Sequence, residues 1–491
     1  MKPGRVIGGD EHEARVEAEK ILDDARAKAG RLEQDATRLA TEIVGAARRE
    51  ADRAGTKAEH SLAYDQTTSN PIVDMPAGTV DEVVGLVVRA TLPGVALGEI
   101  VKIDRRGRGE LLPAEVVGFR GEQAVLLPLG ELGGVAPASS VWRTGGPMTI
   151  TCGDELLGRV LDGLGHPIDD GPPLKGETWA VERPAPSALS RPPITTPQPT
   201  GVRAIDSMLT LGRGQRIGLF SAAGVGKSTL LGQIARTQTA DVIVLCVVGE
   251  RGREVAELLS DELASARQRT VVVCATSDAP ALVRLRAVHV ATAIAEWFRD
   301  RRGANVLLLC DSLTRVARAQ REVGLSAGEP PARHGFPPSV FALLPRLIER
   351  AGATKNGVIT AVYTVLVAGN DLDEPIADEV RSLVDGHIVL DRRFAQRGQF
   401  PPIDVVASTS RLMHRVVDAA HADAAAVLRA RLATYEDNRD LITLGAYQKG
   451  RDPVIDDAIA AYPAIEKLLR QKRTEATEWD ETVALLMAVA R

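Results

Sequence analysis

Apolar residues change their spacing several times along the chain, and each change marks a different kind of element. From about residue 11 to 60, in a stretch without proline, small and apolar side chains recur as Ala14, Ala18, Ile21, Ala25, Ala29, Leu32, Ala36, Ala40 and Ile43. The steps run 4-4-3, an 11-residue period of about 3.67 residues per turn, which predicts a long helix winding right-handedly around a partner. A thin alanine stripe buries little area, so the same residues also describe a charged, solvated helix that frays when alone. The polar run YDQTTSNP at 64–71 then predicts a linker, by its Asn-Pro step and its Ser/Thr content.

Between residues 75 and 150, short Val/Ile/Leu runs (EVVGLVVRA, GEIVKI, PAEVVGFRG, QAVLLPL) alternate with Gly and Pro, the signature of a small all-β module. The segment RPAPSALSRPPITTPQPT at 183–200 is too dense in proline for regular structure and predicts a rigid connector. Beyond it, continuous apolar runs alternate with helical patterns: RIGLFS, VIVLCVV from 242, TVVVCA from 270, NVLLLC from 305 and GVITAVYTVL from 357. Strands apolar on both faces, alternating with helices, predict an α/β fold with a mainly parallel sheet covered on both sides. After Ser410 the chain is rich in Ala, Leu and Arg and reads as helical. The domains expected are therefore a helical extension at 1–70, a β-domain at 71–150, a nucleotide domain at 151–415 that contains the connector, and a helical domain at 416–491.

Length and composition narrow the function only a little. At 491 residues the chain needs several cores, and 44% hydrophobic with 25% charged residues excludes wholesale disorder. A formal charge of -5 gives no overall cationic field toward nucleic acid or anionic lipid. Cys152, Cys246, Cys274 and Cys310 lack CxxC spacing, and the last three lie in apolar runs, so they read as reduced core thiols. No apolar stretch approaches the ~18 residues that span a bilayer, and the N-terminus has no signal-peptide core, so a cytoplasmic protein is expected. The histidines are scattered without ligand spacing, and no metal beyond Mg2+ is suggested.

The chemistry concentrates at Ser221-Ala222-Ala223-Gly224-Val225-Gly226-Lys227-Ser228-Thr229, between an apolar strand and a helix. That is the context of a P-loop, where small residues turn successive N–H groups onto phosphates and the helix N-terminus adds its dipole. Lys227 would reach the β- and γ-phosphates and Ser228 would hold Mg2+, while Ser221 replaces the first glycine of the strict pattern. Asp311 ends the apolar run NVLLLC and suits the metal-side carboxylate of an NTPase. It would serve equally as a cap for the helix after it. Glu250 ends VIVLCVVG and could orient and deprotonate an attacking water, or simply pair with Arg253 at the surface.

Taken together, SAAGVGKST, VVGERGREV, ATSDAPALVRLRA, LCDSLTRVARAQREVGLSAGEPP, EPIADEVRSLVDGHIVL and PPIDVVASTSR resemble the ATPases of type III protein export, relatives of the rotary ATP synthase subunits. The resemblance covers about residues 78–491. It implies a RecA-like P-loop nucleotide domain with an N-terminal β-barrel and a helical C-terminal domain, here preceded by the long extra helix, which departs from the family. By matching motif, Lys227, Ala223, Gly224, Val225, Gly226, Ser228 and Thr229 would bind ATP. Ser228 and Asp311 would hold Mg2+, Glu250 would be the catalytic carboxylate, and Arg251 a phosphate-side helper. Arg411 would reach into the neighbouring subunit's site, and Phe400 would stack on adenine. Without the family, Arg411 reads as a surface arginine and Phe400 as a core residue.

The resemblance further implies a homohexamer peripheral to the inner face of the cytoplasmic membrane, releasing and unfolding chaperone-bound substrates for a membrane export gate. It implies a stator-type regulator and a central stalk as partners, and the extension 1–70 is similar to stator proteins. EPIADEVRSLVDGHIVL and SVFALLPRLIERAG look more like injectisome than flagellar ATPases. Two other classes predict different residues. A hexameric RNA translocase would carry aromatic platforms and basic patches in the β-module. Residues 75–140 hold one aromatic, Phe119, and only Lys102, Arg105, Arg106 and Arg108 as a basic group, so no nucleic-acid partner is expected. A non-catalytic scaffold would lack at least one of Lys227, Glu250, Asp311 and Arg411.

Overall fold

The computed structural model describes residues 76–491 apart from 238, 369 and 370; the expected helical extension lies outside the described residues. The first element is a closed barrel of β1 (Gly78–Val84), β2 (Val87–Thr91), β3 (Ile100–Ile103), β4 (Leu112–Arg120), β5 (Gln123–Pro128) and β6 (Ser140–Arg143), in the order β1-β2-β5-β4-β3-β6. Period-2 alternation places Val88 and Ala90, Val101 and Ile103, and Ala114 and Val116 inside, where they form the barrel core. Closure leaves no unpaired strand edge.

A two-stranded ribbon of β7 (Thr149–Cys152) and β9 (Glu177–Ala180) follows, with β8 (Val160–Asp162) between them in sequence. The proline-rich connector holds only a short 3-10 turn, Ala188–Ser190. Arg191 fixes it by donating to the Ala351 carbonyl at 2.7 Å.

The central sheet is built from β10 (Arg216–Ser221), β11 (Val242–Val248), β12 (Thr270–Ala275), β13 (Asn305–Asp311), β14 (Gly352–Ala353), β15 (Val358–Leu366), β16 (Gly386–Leu390) and β17 (Ile403–Ser410), with β8 at its edge. The order is β17-β16-β10-β15-β13-β11-β12-β8; only β17, against β16, and the short β14, against β15, are antiparallel. Every residue of β11, β12 and β13 is buried, which explains the uninterrupted apolar runs. Alternation still sorts them by face. Val306, Leu308 and Cys310 join one core with α4 (Ala281–Arg302), whereas Leu307 and Leu309 join another with α2 (Lys227–Thr237).

The second core also takes in α1 (Arg203–Met208) and the C-terminal helices Ala419–Asp437, Pro453–Leu469 and Trp479–Ala490. The remaining helices used below are α3 (Gly252–Glu257), α5 (Leu313–Ser326), α6 (Pro338–Ile348) and α7 (Pro375–Leu383). All four cysteines are buried free thiols.

Candidate active site

β10 ends at Ser221 and the chain turns through 222–226 into α2. Gly224 (φ +75) and Gly226 (φ +110) are left-handed, with open space where a Cβ would stand, so backbone conformation and not crowding demands glycine at both. Ala223 and Ser228 are exposed on this loop, Thr229 is half-buried, and Val225 tucks into the core beneath. Lys227 is only 8% exposed. Its ammonium pairs with the carboxylate of Asp311 and lies 3.5 Å from that of Glu250.

Asp311 continues the 307-309-311 alternation, which puts it on the α2 side of the sheet. Its Oδ1 also accepts from the Thr364 hydroxyl at 2.9 Å. The helix-cap position falls to Ser312, so Asp311 is not the cap of that helix. Glu250 pairs with Arg315 of α5, whose guanidinium donates to its Oε2 at 2.8 Å and to the Gly249 carbonyl. Arg253 pairs with Glu257, one helical turn on, so the surface pairing with Glu250 does not form. Burying Lys227, Glu250 and Asp311 together is tolerable because each charge faces an opposite one. Arg251 is exposed at the start of α3.

Beside the loop opens a cavity of about 620 Å³, walled by Gly226, Thr229 and Leu230, by Phe400, Pro401 and Pro402, and by Arg470 and Lys472. Phe400 is 51% exposed, so it is a wall of this cavity and not a core residue. The size suits a nucleoside, and a flat ring beside it can stack on a base. The Ser221 and Ser312 hydroxyls are buried without a hydrogen-bond partner. A free hydroxyl at Ser228, a carboxylate at Asp311 and spare hydroxyls nearby are hard oxygen donors. Few protein ligands, with phosphate oxygens and water supplying the rest, is how Mg2+ is usually held. Among the described residues no group of three or more His, Cys, Asp or Glu is placed to hold a metal ion.

Arg411 lies elsewhere. Ser410 pairs with Gly386 at the start of β16, whereas Leu390 at its end pairs with Ser221 of β10. The Arg411 main chain is thus level with Asp385, about 16 Å from the P-loop edge at ~3.3 Å per strand residue. That is farther than an arginine side chain reaches. Its guanidinium is exposed and donates to the Arg381 carbonyl at 3.2 Å.

Sequence reading missed Arg315, Thr364 and the wall at 470–472. Arg315 carried a signal, since it stands one helical turn beyond Asp311. Thr364 sits in an unbroken apolar run, and the C-terminal wall is a long-range contact with no local mark.

A P-loop at the end of a parallel sheet, a strand-end carboxylate pair around its lysine and a barrel in front define a nucleotide-hydrolysing protein of the ATP synthase α/β kind. Family models agree: the β-barrel domain of the ATP synthase alpha/beta family matches 80–145, its nucleotide-binding domain 201–410, and the T3SS EscN ATPase C-terminal domain 417–488. The chain is 49% identical over 414 residues to the type 3 secretion system ATPase of Xanthomonas euvesicatoria, covering 84% of this chain and 93% of the relative. It is 48% identical over 415 residues to the flagellum-specific ATP synthase of Bacillus subtilis, covering 84% and 94%. The assembled ATPase EscN of enteropathogenic E. coli in complex with its central stalk EscO superposes with a TM-score of 0.78 at 44% identity, over 84% of this chain and all of that one. The chain belongs to the type III secretion and flagellar export ATPases, and is a P-loop ATPase.

Proposed function

We propose that the protein is one subunit of a homohexameric ring that hydrolyses ATP to release and unfold chaperone-bound substrates for type III export, in an injectisome. The observation that carries the ring is the position of Arg411, at the opposite end of the sheet from its own P-loop. From there Arg411 does not reach its own nucleotide, so a catalytic role for it requires the site of a neighbouring subunit. Relatives support the export role, and EscN is described as assembled and bound to a stalk. The same partner class is proposed here, together with a stator-type regulator. A peripheral position at the export gate is proposed from the same relatives; among the described residues no helix is long and apolar enough to cross a membrane.

In this reading the loop N–H groups and Lys227 bind the phosphates, and Phe400 and the 470–472 wall hold the adenosine. Phosphate competes with Asp311 and Glu250 for the Lys227 ammonium, so binding ATP frees both carboxylates. Ser228 and Asp311 would hold Mg2+, which when bound draws charge from the phosphate oxygens. Glu250, steadied by Arg315, orients the attacking water and takes its proton. Arg251 approaches the phosphate from the exposed side. The neighbour's Arg411 neutralises charge developing on the γ-phosphate, worth roughly 10³ to 10⁵ in kcat in comparable NTPases.

The test is release of a chaperone-bound export cargo by purified wild type and Lys227→Ala with ATP. Release by the wild type alone is expected; release without turnover would contradict the reading. Deleting the gene distinguishes the two apparatuses, since loss of an injectisome ATPase abolishes effector secretion and leaves motility intact.

A further inference from the structure

We infer that Gln215 is a positioning residue for Arg411, an inference that rests on reading Arg411 as the residue completing a neighbour's site. Gln215 lies at the entry to β10 and is wholly buried. Its Oε1 accepts from the Gly212 N–H at 2.7 Å, and its Nε2 donates to the Asp385 carbonyl at 3.1 Å and to the Ser410 hydroxyl at 3.2 Å. Both N–H groups of the amide and its oxygen are therefore committed, and the fixed donor at Gly212 and fixed acceptor at Asp385 allow only one orientation of the amide.

The two groups it holds flank Arg411. Ser410 is the preceding residue, and the Asp385 carbonyl also accepts the Arg411 N–H at 3.0 Å. The Ser410 hydroxyl spends its proton on the Thr210 carbonyl at 2.8 Å, leaving lone pairs for Gln215. The Asp385 carboxylate is held in turn by the Arg216 backbone N–H at 2.9 Å and by its guanidinium at 3.1 and 3.2 Å. At the neighbouring Gly386 an added Cβ would lie 2.5 Å from the Thr409 carbonyl, so the strands carrying Arg411 are packed against each other with no slack. The Arg411 side chain, by contrast, is exposed and among the described residues makes one hydrogen bond, to the Arg381 carbonyl. The point from which it reaches is thus set by its main chain, and that main chain is held by a buried amide at the foot of the strand whose other end opens into the P-loop.

The experiment uses the full chain and compares Gln215→Glu, Ser410→Ala, Arg411→Ala and the two doubles with Arg411→Ala, reading ring mass, KM for ATP and kcat. Gln215→Glu keeps the size and the acceptor but removes both donors. A fall in kcat on the order of 10- to 100-fold is expected, the scale of an ångström-level misplacement, with KM and assembly unchanged. In the Arg411→Ala background the same change should cost no more than about 2-fold, because coupled residues are non-additive. Ser410→Ala should show a smaller fall that also vanishes in that background, and it carries the test if Gln215→Glu does not assemble. Full additivity of either variant with Arg411→Ala, or a change in KM with kcat intact, overturns the inference. A silent Arg411→Ala overturns instead the reading of Arg411 on which it rests.

Discussion

The Arg315 guanidinium donates to Glu250 across 2.8 Å and to the carbonyl of Gly249 just before it, tying the end of β11 to the first turn of the helix that follows β13. Two strand ends that the sequence separates by some sixty residues are thereby locked into one cleft. Replacing Glu250 by Gln keeps its size and removes its basicity, so kcat should fall by roughly 10² to 10⁴ while nucleotide affinity persists. Arg315→Ala should fall less than Glu250→Gln, and the double variant should fall no further than Glu250→Gln alone. Steady-state turnover together with nucleotide binding checks both.

Phe400 lines the cavity beside the P-loop and is half exposed there. Truncation to Ala should weaken ATP binding by about 1–3 kcal/mol, the usual range for a base stacked on an aromatic ring. The effect should appear in KM, with kcat at saturation little changed and with Phe400→Tyr close to wild type. A loss confined to kcat would remove Phe400 from the base site.

Much of this was legible in the sequence because it is written locally. The apolar runs at 242, 270 and 305 are strands buried on both faces, and their unbroken Val/Leu/Cys pattern shows it directly. Gly224 and Gly226 announce a loop of left-handed residues, and Lys227 follows at once. What stayed hidden depends on distance in the chain. Thr364 contributes a hydroxyl to Asp311 from a strand that reads as plain core, and Gln215 looks like any polar residue before a strand. Around Glu250, Asp311 and Phe400 the folded chain supplies neighbours that the local sequence does not mark: Arg315, the Ser312 cap and the wall at 470–472.

The barrel is joined to the nucleotide domain by a charge cluster as well as by apolar contact. Arg286 of α4 makes a two-pronged ion pair with Glu115 of β4 and also contacts Glu182. Burial pushes the Glu115 carboxyl up, and only Arg286 opposes it. Arg286→Ala strands that carboxylate and should cost about 3–5 kcal/mol in unfolding free energy, whereas the paired replacement Glu115→Leu with Arg286→Met should cost much less. Urea unfolding of the wild type, Glu115→Leu, Arg286→Met and their double forms the cycle, with Arg286→Ala measured beside them.

His289, buried between Arg286 and Arg350, has its pKa held well below the ordinary imidazole value, first by burial and then by the two guanidinium groups. A histidine depressed in the folded state binds fewer protons there than when unfolded. The stability it contributes is therefore present above about pH 6.5, the unfolded value, and is lost progressively as the pH falls below it. His289→Gln should remove that part of the acid destabilisation, flattening the dependence of the unfolding midpoint between about pH 6.5 and 5. An unchanged slope in the variant would assign the acid sensitivity to other groups.

The central claim is that catalysis is completed across a subunit boundary by Arg411, and the most direct measurement is ATP turnover per protomer over a concentration series, with light scattering for mass, for wild type and Arg411→Ala. Wild-type turnover should rise with ring formation, and Arg411→Ala should form the same rings with kcat lower by about 10³-fold or more. Turnover that is independent of assembly, or an Arg411→Ala ring as active as the wild type, would contradict the account.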